Sequence, residues 1–301
     1  MIDWQQRTEQ LFGPEKTGRL RCAHVLVVGV GGVGAYAAEM LCRAGIGEMT
    51  IVDADTVQPS NINRQLPATH DTVGRLKTDV MQERLLAINP ALVLHALPIY
   101  LTDDNIPALL DGDYQSLVPD SPIPNSSFLI PNSAISFIVD AIDTIAPKCA
   151  LIIEAHLRRI PIISSMGAGA KSDITKVQFA RLEDTYHCGL SKAVRTRLRN
   201  LMKSTSQQVN KSTGVDVDDI KHIDSLTCRL VDPLTHRPVD SLTCRLVDLL
   251  KTPVVFSSEK ADPKAIITVE GERNKKSTTG TVSYMPAVFG CYLADYVIER
   301  L

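Results

Sequence analysis

Apolar residues along this chain recur with two periods, one typical of strands and one typical of helices. Residues 24–30 form a short apolar run that ends in glycines, and residues 33–44 place apolar side chains at helical spacing. Residues 49–53 form a second apolar run that ends in an acid. The pattern predicts a strand, a glycine-rich turn, a helix and a second strand, which is typical of a nucleotide-binding fold.

The alternation continues along the chain. It predicts helices at 77–88, about 103–110, 146–159 and 285–301, and strands at 92–97, 135–141, 160–164 and 254–259. Strands that alternate with helices form parallel sheets with helices on both faces. The predicted fold class is therefore α/β, with a doubly wound, mostly parallel, Rossmann-like sheet.

Two stretches interrupt the pattern. Residues 112–133 contain four prolines among serines and asparagines, which predicts a surface loop. Residues 224–232 recur identically at 240–248, which indicates a local duplication rather than a repeat architecture. The predicted organisation is a core at 1–170 and a C-terminal extension at 171–301, which holds a basic helix, a variable loop at about 204–252, and a closing strand and helix.

The composition narrows the class of protein. With 44% hydrophobic and 22% charged residues, the 301-residue chain resembles an ordinary enzyme. No apolar run approaches the roughly 20 residues that span a bilayer, and the first residues lack a signal-peptide pattern, so we expect a cytoplasmic location without membrane contact. The seven cysteines include no Cys-x-x-Cys pair, which argues against a disulfide framework or a four-thiolate zinc site.

The glycine-rich turn is the first chemical motif. Gly29, Gly31 and Gly34 satisfy G-x-G-x-x-G, with Gly32 inside it. Such a turn brings backbone N–H groups to phosphates at the positive end of a helix. Asp53 ends the next strand, where a carboxylate can hold ribose hydroxyls. These features alone fit a nicotinamide oxidoreductase equally well.

Further charges favour a triphosphate. Arg64 and Lys77 follow Asp53, and a triphosphate needs more cations than the two phosphates of a dinucleotide. Asp143 closes the fourth predicted strand, at the edge where open α/β sheets bind ligands, and an acid there can hold Mg²⁺ on phosphates. Each charge singly suits a solvated surface, but the ordered set predicts a site for ATP and Mg²⁺.

These residues stand in motifs that resemble a known superfamily. The chain contains Arg7-x-x-x-Leu-Phe-Gly, Gly-x-Gly-Gly-x-Gly, Val-Asp-x-Asp-x-Val, Asn-x-Asn-Arg-Gln, Val-Gly-x-x-Lys and Asp-Ala-Ile-Asp. From about residue 5 to 170 it resembles the adenylating domain of ubiquitin-activating, ThiF, MoeB and HesA enzymes. The resemblance implies a homodimer that adenylates a carboxylate with ATP and Mg²⁺.

The resemblance also implies roles. Asp53 is expected to bind ribose and Asp143 the metal, while Arg7 would reach into the partner's site and act with Arg64, Lys77 and Asp143 in catalysis. The implied ATP-binding residues are Gly29, Gly31, Gly32, Gly34, Asp53, Asp55, Asn61, Arg64, Gln65, Lys77 and Asp143.

The second half resembles one branch of the superfamily. Residues 160–169, 173–178, 190–199 and 255–259 are similar to the TcdA (CsdL) branch, the tRNA threonylcarbamoyladenosine dehydratases. The branch implies adenylation of the threonine carboxylate, attack by the carbamoyl group of the same nucleoside, and loss of AMP. It leaves open a sulfur-transfer or cysteine desulfurase partner. Relatives carry a cysteine where this chain has Val254, and Cys188 is a substitute candidate.

A local basic surface supports a tRNA partner. Between residues 171 and 211, nine basic residues stand against three acids, although the net charge of the chain is -2. Lys192, Arg195, Arg199 and Lys203 recur at helical spacing. This spacing suits contact with RNA phosphates, and it also suits a solvated helix face.

Three other functions remain open at this stage. A MoeB or ThiF-type enzyme would adenylate the C-terminal glycine of a sulfur-carrier protein, and the missing Cys-x-x-Cys pairs count against it. A non-catalytic nucleotide-binding scaffold would not need the full charge set. A nicotinamide oxidoreductase would not need the second cation or Asp143.

Overall fold

The computed structural model describes residues 4–118, 133–213, 248–268 and 277–301. The strands within these ranges are β1 (His24–Val28), β2 (Glu48–Val52), β3 (Val93–Leu97), β4 (Phe137–Asp140), β5 (Ile162–Ser165), β6 (Val177–Arg181), β7 (Pro253–Ser257), β8 (Ile266–Thr268) and β9 (Ser277–Thr279). The α-helices are α1 (Gln6–Cys22), α2 (Gly34–Ala44), α3 (Lys77–Ile88), α4 (Ile106–Leu110), α5 (Tyr114–Leu117), α6 (Ile145–Arg158), α7 (Gly189–Thr213) and α8 (Tyr284–Arg300).

One sheet organises the molecule. Seven strands lie in the order β3-β2-β1-β4-β5-β7-β6, and every neighbouring pair is parallel except β6 and β7. The strand order reverses between β1 and β4, which is the point where open α/β sheets bind ligands. The predicted doubly wound, mostly parallel α/β fold is confirmed. Strands β8 and β9 form a separate antiparallel pair.

Both faces of the sheet are covered by helices. Val25 and Val27 of β1 pack in one apolar cluster with α1, α2, α3 and α8, while Leu26 and Val28 pack in another with α4 to α7. Because neither face of β1 meets water, its sequence is a continuous apolar run rather than an alternating one. In the described ranges, no helix is long and apolar enough to cross a membrane.

The second half of the chain completes the same sheet. Strand β7 lies between β5 and β6, and α8 packs along α2, so the expected division at residue 170 falls inside one sheet. Helix α7 continues to Thr213, within the loop expected at 204–252, and a 3₁₀ turn at Asp248–Lys251 buries Leu249. The duplicated segments lie outside the described residues, apart from Asp248.

Candidate functional site

The glycine-rich turn joins β1 to α2 and requires glycine at two positions. Gly29 has a φ of 88°, and a Cβ there would lie 2.9 Å from the Ala141 carbonyl oxygen. A Cβ at Gly34 would lie 1.8 Å from the Gly29 carbonyl oxygen, which no side chain could accommodate. The turn therefore packs tightly against the segment after β4, and it leaves the N-terminal end of α2 available to a phosphate.

Asp53 holds this turn in place. One carboxylate oxygen accepts a hydrogen bond from the Val30 N–H at 2.9 Å, and the other accepts from the Asp55 N–H at 2.9 Å. Burial raises the pKa of Asp53, and the nearby Lys77 ammonium opposes that rise. A carboxylate oxygen has two lone pairs, so these bonds leave capacity for a ribose hydroxyl. Ribose binding by Asp53 stays a prediction.

Lys77 is the first residue of α3 and lies beside Asp53 and Asp55. Its side chain is 5% exposed, and its Nζ atom lies 2.7 Å from Asp55 Oδ2 and 4.0 Å from Asp53 Oδ2. The Asp55 side chain is 66% exposed. A cation buried beside an exposed and movable carboxylate can exchange that partner for an entering phosphate oxygen.

The segment 61–65 forms the facing wall. Asn61 is buried, and its side-chain oxygen accepts from the Gln58 N–H at 3.0 Å. Arg64 folds back on its own turn, with Nη1 donating to the Ser60 carbonyl at 2.8 Å and to Asn63 Oδ1 at 2.9 Å. Arg64 therefore lies near the glycine turn, but its guanidinium is held against residues 60–63 and does not extend towards the phosphate position.

Gln65 carries an unmet hydrogen-bonding group. Within the described part of the chain, its Oε1 atom is buried without a hydrogen-bond partner, and its amide lies next to Gly31. A buried polar atom without a partner costs about 1–3 kcal/mol, and a bound polar ligand would remove that cost. The tight turn and the Lys77 cation together fit a nucleotide polyphosphate, whereas the Gln65 oxygen, which can only accept, suits a donor group of the nucleoside such as a hydroxyl or amino group.

The Asp-Ala-Ile-Asp motif places its two acids differently from the prediction. Strand β4 ends at Asp140, and Asp143 lies three residues later on an exposed loop before α6. The expectation that Asp143 closes the strand is wrong, because Asp140 occupies that position and is fully buried against Lys148. The loop that carries Asp143 still abuts the glycine turn, through Ala141.

Metal binding by Asp143 stays a prediction. The described residues contain no group of three or more His, Cys, Asp or Glu side chains that could hold a metal ion. Mg²⁺ commonly binds through one or two carboxylates plus substrate phosphates, so a single acid beside the phosphate turn fits that type of site.

Arg7 lies away from the candidate site of this chain. It is exposed on α1, and the neighbouring Gln5 side chain lies against Gly45. Gly45 follows the last residue of α2, whereas the phosphate turn precedes the first. The 11 residues of α2 separate these two ends by about 16 Å.

The C-terminal part supplies a wall of the site that the sequence analysis did not predict. Asn63 Nδ2 donates to the Thr281 carbonyl at 2.9 Å, and a Cβ at Gly32 would meet Pro286 at 3.1 Å. Residues 281–286 precede and begin α8, so this helix closes one side of the phosphate turn. Neither Thr281 nor Pro286 stands in a motif that sequence inspection would select.

The basic helix does not present one uniform face. Lys192, Arg199 and Lys203 are exposed on α7. Arg195 instead turns inward, and its Nη1 atom donates to the Thr185 carbonyl at 2.8 Å and to the Leu182 carbonyl at 3.2 Å. Burial lowers the pKa of Arg195. The sequence spacing therefore groups Arg195 with the exposed basic residues, but its side chain points inward to residues 182–185.

The candidate cysteine is enclosed. Cys188 is 7% exposed, and its sulfur would lie 3.5 Å from a Cβ at Gly167. Val254 is fully buried in β7. Neither position offers an accessible thiol.

Comparison with known proteins establishes the relationship. The profile of the ThiF family matches residues 5–301. The chain belongs to the ThiF family. This family member is 36% identical to the tRNA threonylcarbamoyladenosine dehydratase of Escherichia coli over 200 residues, which are 65% of this chain and 67% of that protein. It is 37% identical to the Bacillus subtilis protein of the same name over 199 residues, 66% of this chain and 70% of that protein.

Solved structures extend the similarity to the whole chain. E. coli TcdA in complex with ATP superimposes with a TM-score of 0.67 at 28% identity, covering 100% of this chain and 95% of that one. A second TcdA structure contains AMP. The molybdopterin-synthase adenylyltransferase of Salmonella typhimurium is 28% identical over 177 residues, 59% of this chain and 62% of that protein.

Proposed function

We propose that this ThiF-family protein is an ATP-dependent enzyme that dehydrates threonylcarbamoyladenosine in tRNA. The observation that carries the proposal is the cradle made by the glycine turn and Lys77, which fits a polyphosphate, with the unpartnered Gln65 oxygen beside it available to a donor of the nucleoside. Support for the substrate comes from relatives at 36% and 37% identity that are named for this reaction. The ATP and AMP complexes of E. coli TcdA support an adenylation step.

The proposed reaction has two steps. A carboxylate oxygen of the threonyl group attacks the α-phosphorus of ATP, and pyrophosphate leaves. The carbamoyl group of the same nucleoside then attacks the acyl carbon and loses a proton to solvent, while AMP departs with the former carboxylate oxygen. The nucleoside becomes lighter by one water, and ATP becomes AMP and pyrophosphate. Proximity supplies the attacking group, so no enzyme nucleophile is needed.

The residues of the cradle take distinct parts in this proposal. Backbone N–H groups of the glycine turn and the end of α2 bind the phosphates. Lys77 exchanges Asp55 for a phosphate oxygen, and Arg64 extends from its turn, so both cations offset the charge that develops on the leaving pyrophosphate. Asp143 would hold Mg²⁺, which would neutralise phosphate charge when bound.

Partners complete the proposal. Arg7 acts across a homodimer, because α1 carries it away from the site of its own subunit. The exposed Lys192, Arg199 and Lys203 contact tRNA phosphates, whereas Arg195 braces the helix. Because the Cys188 thiol is only 7% exposed, we propose no sulfur-transfer partner that acts through it.

A second candidate follows from the Salmonella relative, whose name describes adenylation of molybdopterin synthase. The test is AMP formation from ATP and Mg²⁺ with threonylcarbamoyladenosine-bearing tRNA, with the same tRNA lacking the modification, and with a carrier protein that ends in Gly-Gly. We expect AMP only with the modified tRNA. AMP only with the carrier protein would transfer the function to the second candidate.

A further inference from the structure

A separate cavity lies at the opposite edge of the sheet from the nucleotide cradle. It has a volume of about 440 Å³, and Phe137, Ile162 and Pro253 border it. These are the first residues of β4, β5 and β7, whereas the cradle lies beyond the last residues of β1, β2 and β4. The volume falls within the range of roughly 300–1,000 Å³ that is typical of small-molecule sites.

The rim of the cavity is cationic. Arg159 and Arg300 stand on it, and the acid among the lining residues, Asp248, pairs with Lys251 at 2.8 Å. Burial lowers the pKa of His156, which is also in the lining, so this side chain adds no charge at neutral pH. Two guanidinium groups with one compensated carboxylate favour an anionic ligand.

The two arginines are positioned by different means. The Arg300 guanidinium lies 3.3 Å from the centre of the Tyr296 ring, and Nη1 donates to the Tyr296 carbonyl at 3.2 Å. Arg159 follows the last residue of α6 and has the left-handed conformation, with a φ of 59°, where glycine is the preferred residue. An arginine in this conformation carries a backbone strain that a glycine would not have.

Apolar groups lie beneath these charges. Phe137 and Ile162 are nearly fully buried at the cavity, Pro161 lies on its rim, and the rings of Phe137 and Tyr296 meet edge to face with centres 6.2 Å apart. A flat apolar surface below two guanidinium groups matches a ligand with a planar ring and a phosphate. We propose that this cavity binds a nucleoside monophosphate, free or within an RNA chain, with its phosphate on Arg159 and Arg300 and its base against Ile160 and Pro161.

The test compares Arg159→Gly with the wild type, because glycine suits the backbone at this position. Unfolding by urea should show equal or higher stability for Arg159→Gly, and the same measurement on Arg159→Gly/Arg300→Ala shows whether the double variant is folded before its binding is read. In calorimetric titrations with AMP, the wild type should show two sites per chain. In the Arg159→Gly/Arg300→Ala variant, AMP should bind at least tenfold less tightly to the weaker site, which is the cavity. Its affinity for the tighter site, which is the cradle, should not change. Arg159→Lys should retain part of the weaker site, and Lys264→Ala, an exposed control, should retain both.

A second arm identifies the source of the nucleotide. An unmodified pentanucleotide RNA is titrated into the same variants. Weaker binding of AMP alone would assign the cavity to free nucleotide, and weaker binding of the RNA alone would assign it to an RNA nucleotide. If the double variant binds both as the wild type does, the proposal is overturned. AMP formation by the proposed enzyme at saturating modified tRNA is not expected to change, so failure here leaves the proposed function intact.

Discussion

Lys148 Nζ lies 2.8 Å from Asp140 Oδ2, and both side chains are fully buried. Asp140 also accepts from Ser164 Oγ at 2.6 Å and from the Ile142 N–H at 3.0 Å, while Lys148 donates to the Ile142 carbonyl at 2.9 Å. The pair joins the end of β4 to α6 and fixes the loop that meets the glycine turn. It therefore supports the candidate site without contacting a ligand in the proposed reaction.

Breaking this pair should be strongly destabilising. Lys148→Met leaves the Asp140 carboxylate buried without its cation, and we expect the free energy of unfolding to fall by about 3–5 kcal/mol. Urea denaturation measures the change. The matched control is Arg19→Ala, which removes an exposed bridge to Glu15 and should cost about 1 kcal/mol or less. Equal losses for the two variants would contradict the structural role of the buried pair.

Gly290 sets the distance between α8 and α2. A Cβ there would lie 2.6 Å from the Val33 carbonyl oxygen and 2.7 Å from Tyr36 Cβ. Gly290→Ala should cost about 1–3 kcal/mol and weaken ATP binding, because α8 also places Pro286 against the phosphate turn. Gly189→Ala, whose Cβ would meet nothing within 4 Å, should be neutral in both assays. Unchanged ATP affinity in a destabilised Gly290→Ala protein would separate α8 from the site.

Stability should fall with acidification near pH 6.5 through His24. Burial lowers its pKa, the Ser133 carbonyl and Glu48 oppose the shift, and His95 adds to it. A lowered pKa means that the unfolded chain binds the proton more readily, so the free energy of unfolding decreases as pH falls through the unfolded value. We expect His24→Gln to have a flatter dependence than the wild type between about pH 7.5 and 5.5. The exposed His70→Gln should keep the wild-type slope, and an unchanged slope in His24→Gln would remove His24 as the cause.

Basic residues of α7 are expected to have two different effects: the exposed ones on tRNA binding, and the inward Arg195 on stability. Lys192→Glu/Arg199→Glu reverses exposed charges, so tRNA binding should weaken and its dependence on salt should flatten while the fold stays intact. Arg195→Glu should mainly destabilise the protein, because it removes the bonds to 182–185. Binding curves at several salt concentrations and urea unfolding distinguish the two. Wild-type tRNA affinity in the first variant would exclude this helix from the interface.

The fold was predictable because buried parallel strands and glycine turns have strong local patterns. The first four predicted elements, from the strand at 24–30 to the helix at 77–88, were placed to within about two residues, which is the usual uncertainty of element ends, whereas α1 was not predicted. The site was predictable where motifs are contiguous, as at Lys77 and Gly34. It was not predictable where distant segments meet, as with Thr281 on Asn63 or Lys148 on Asp140, since no local spacing encodes such pairs. Arg195 differed because helical spacing predicts a face but not a hydrogen bond to a neighbouring turn.

The most direct test is the mass of the product nucleoside. Modified tRNA is incubated with ATP, Mg²⁺ and wild-type protein, Lys77→Met or the exposed control Lys264→Met, and then digested for mass analysis. The proposal predicts a nucleoside lighter by one water, formed with equimolar AMP by the wild type and Lys264→Met, and formed at least tenfold more slowly by Lys77→Met. An unchanged threonylcarbamoyladenosine mass with folded wild-type protein that binds ATP would contradict the proposed function.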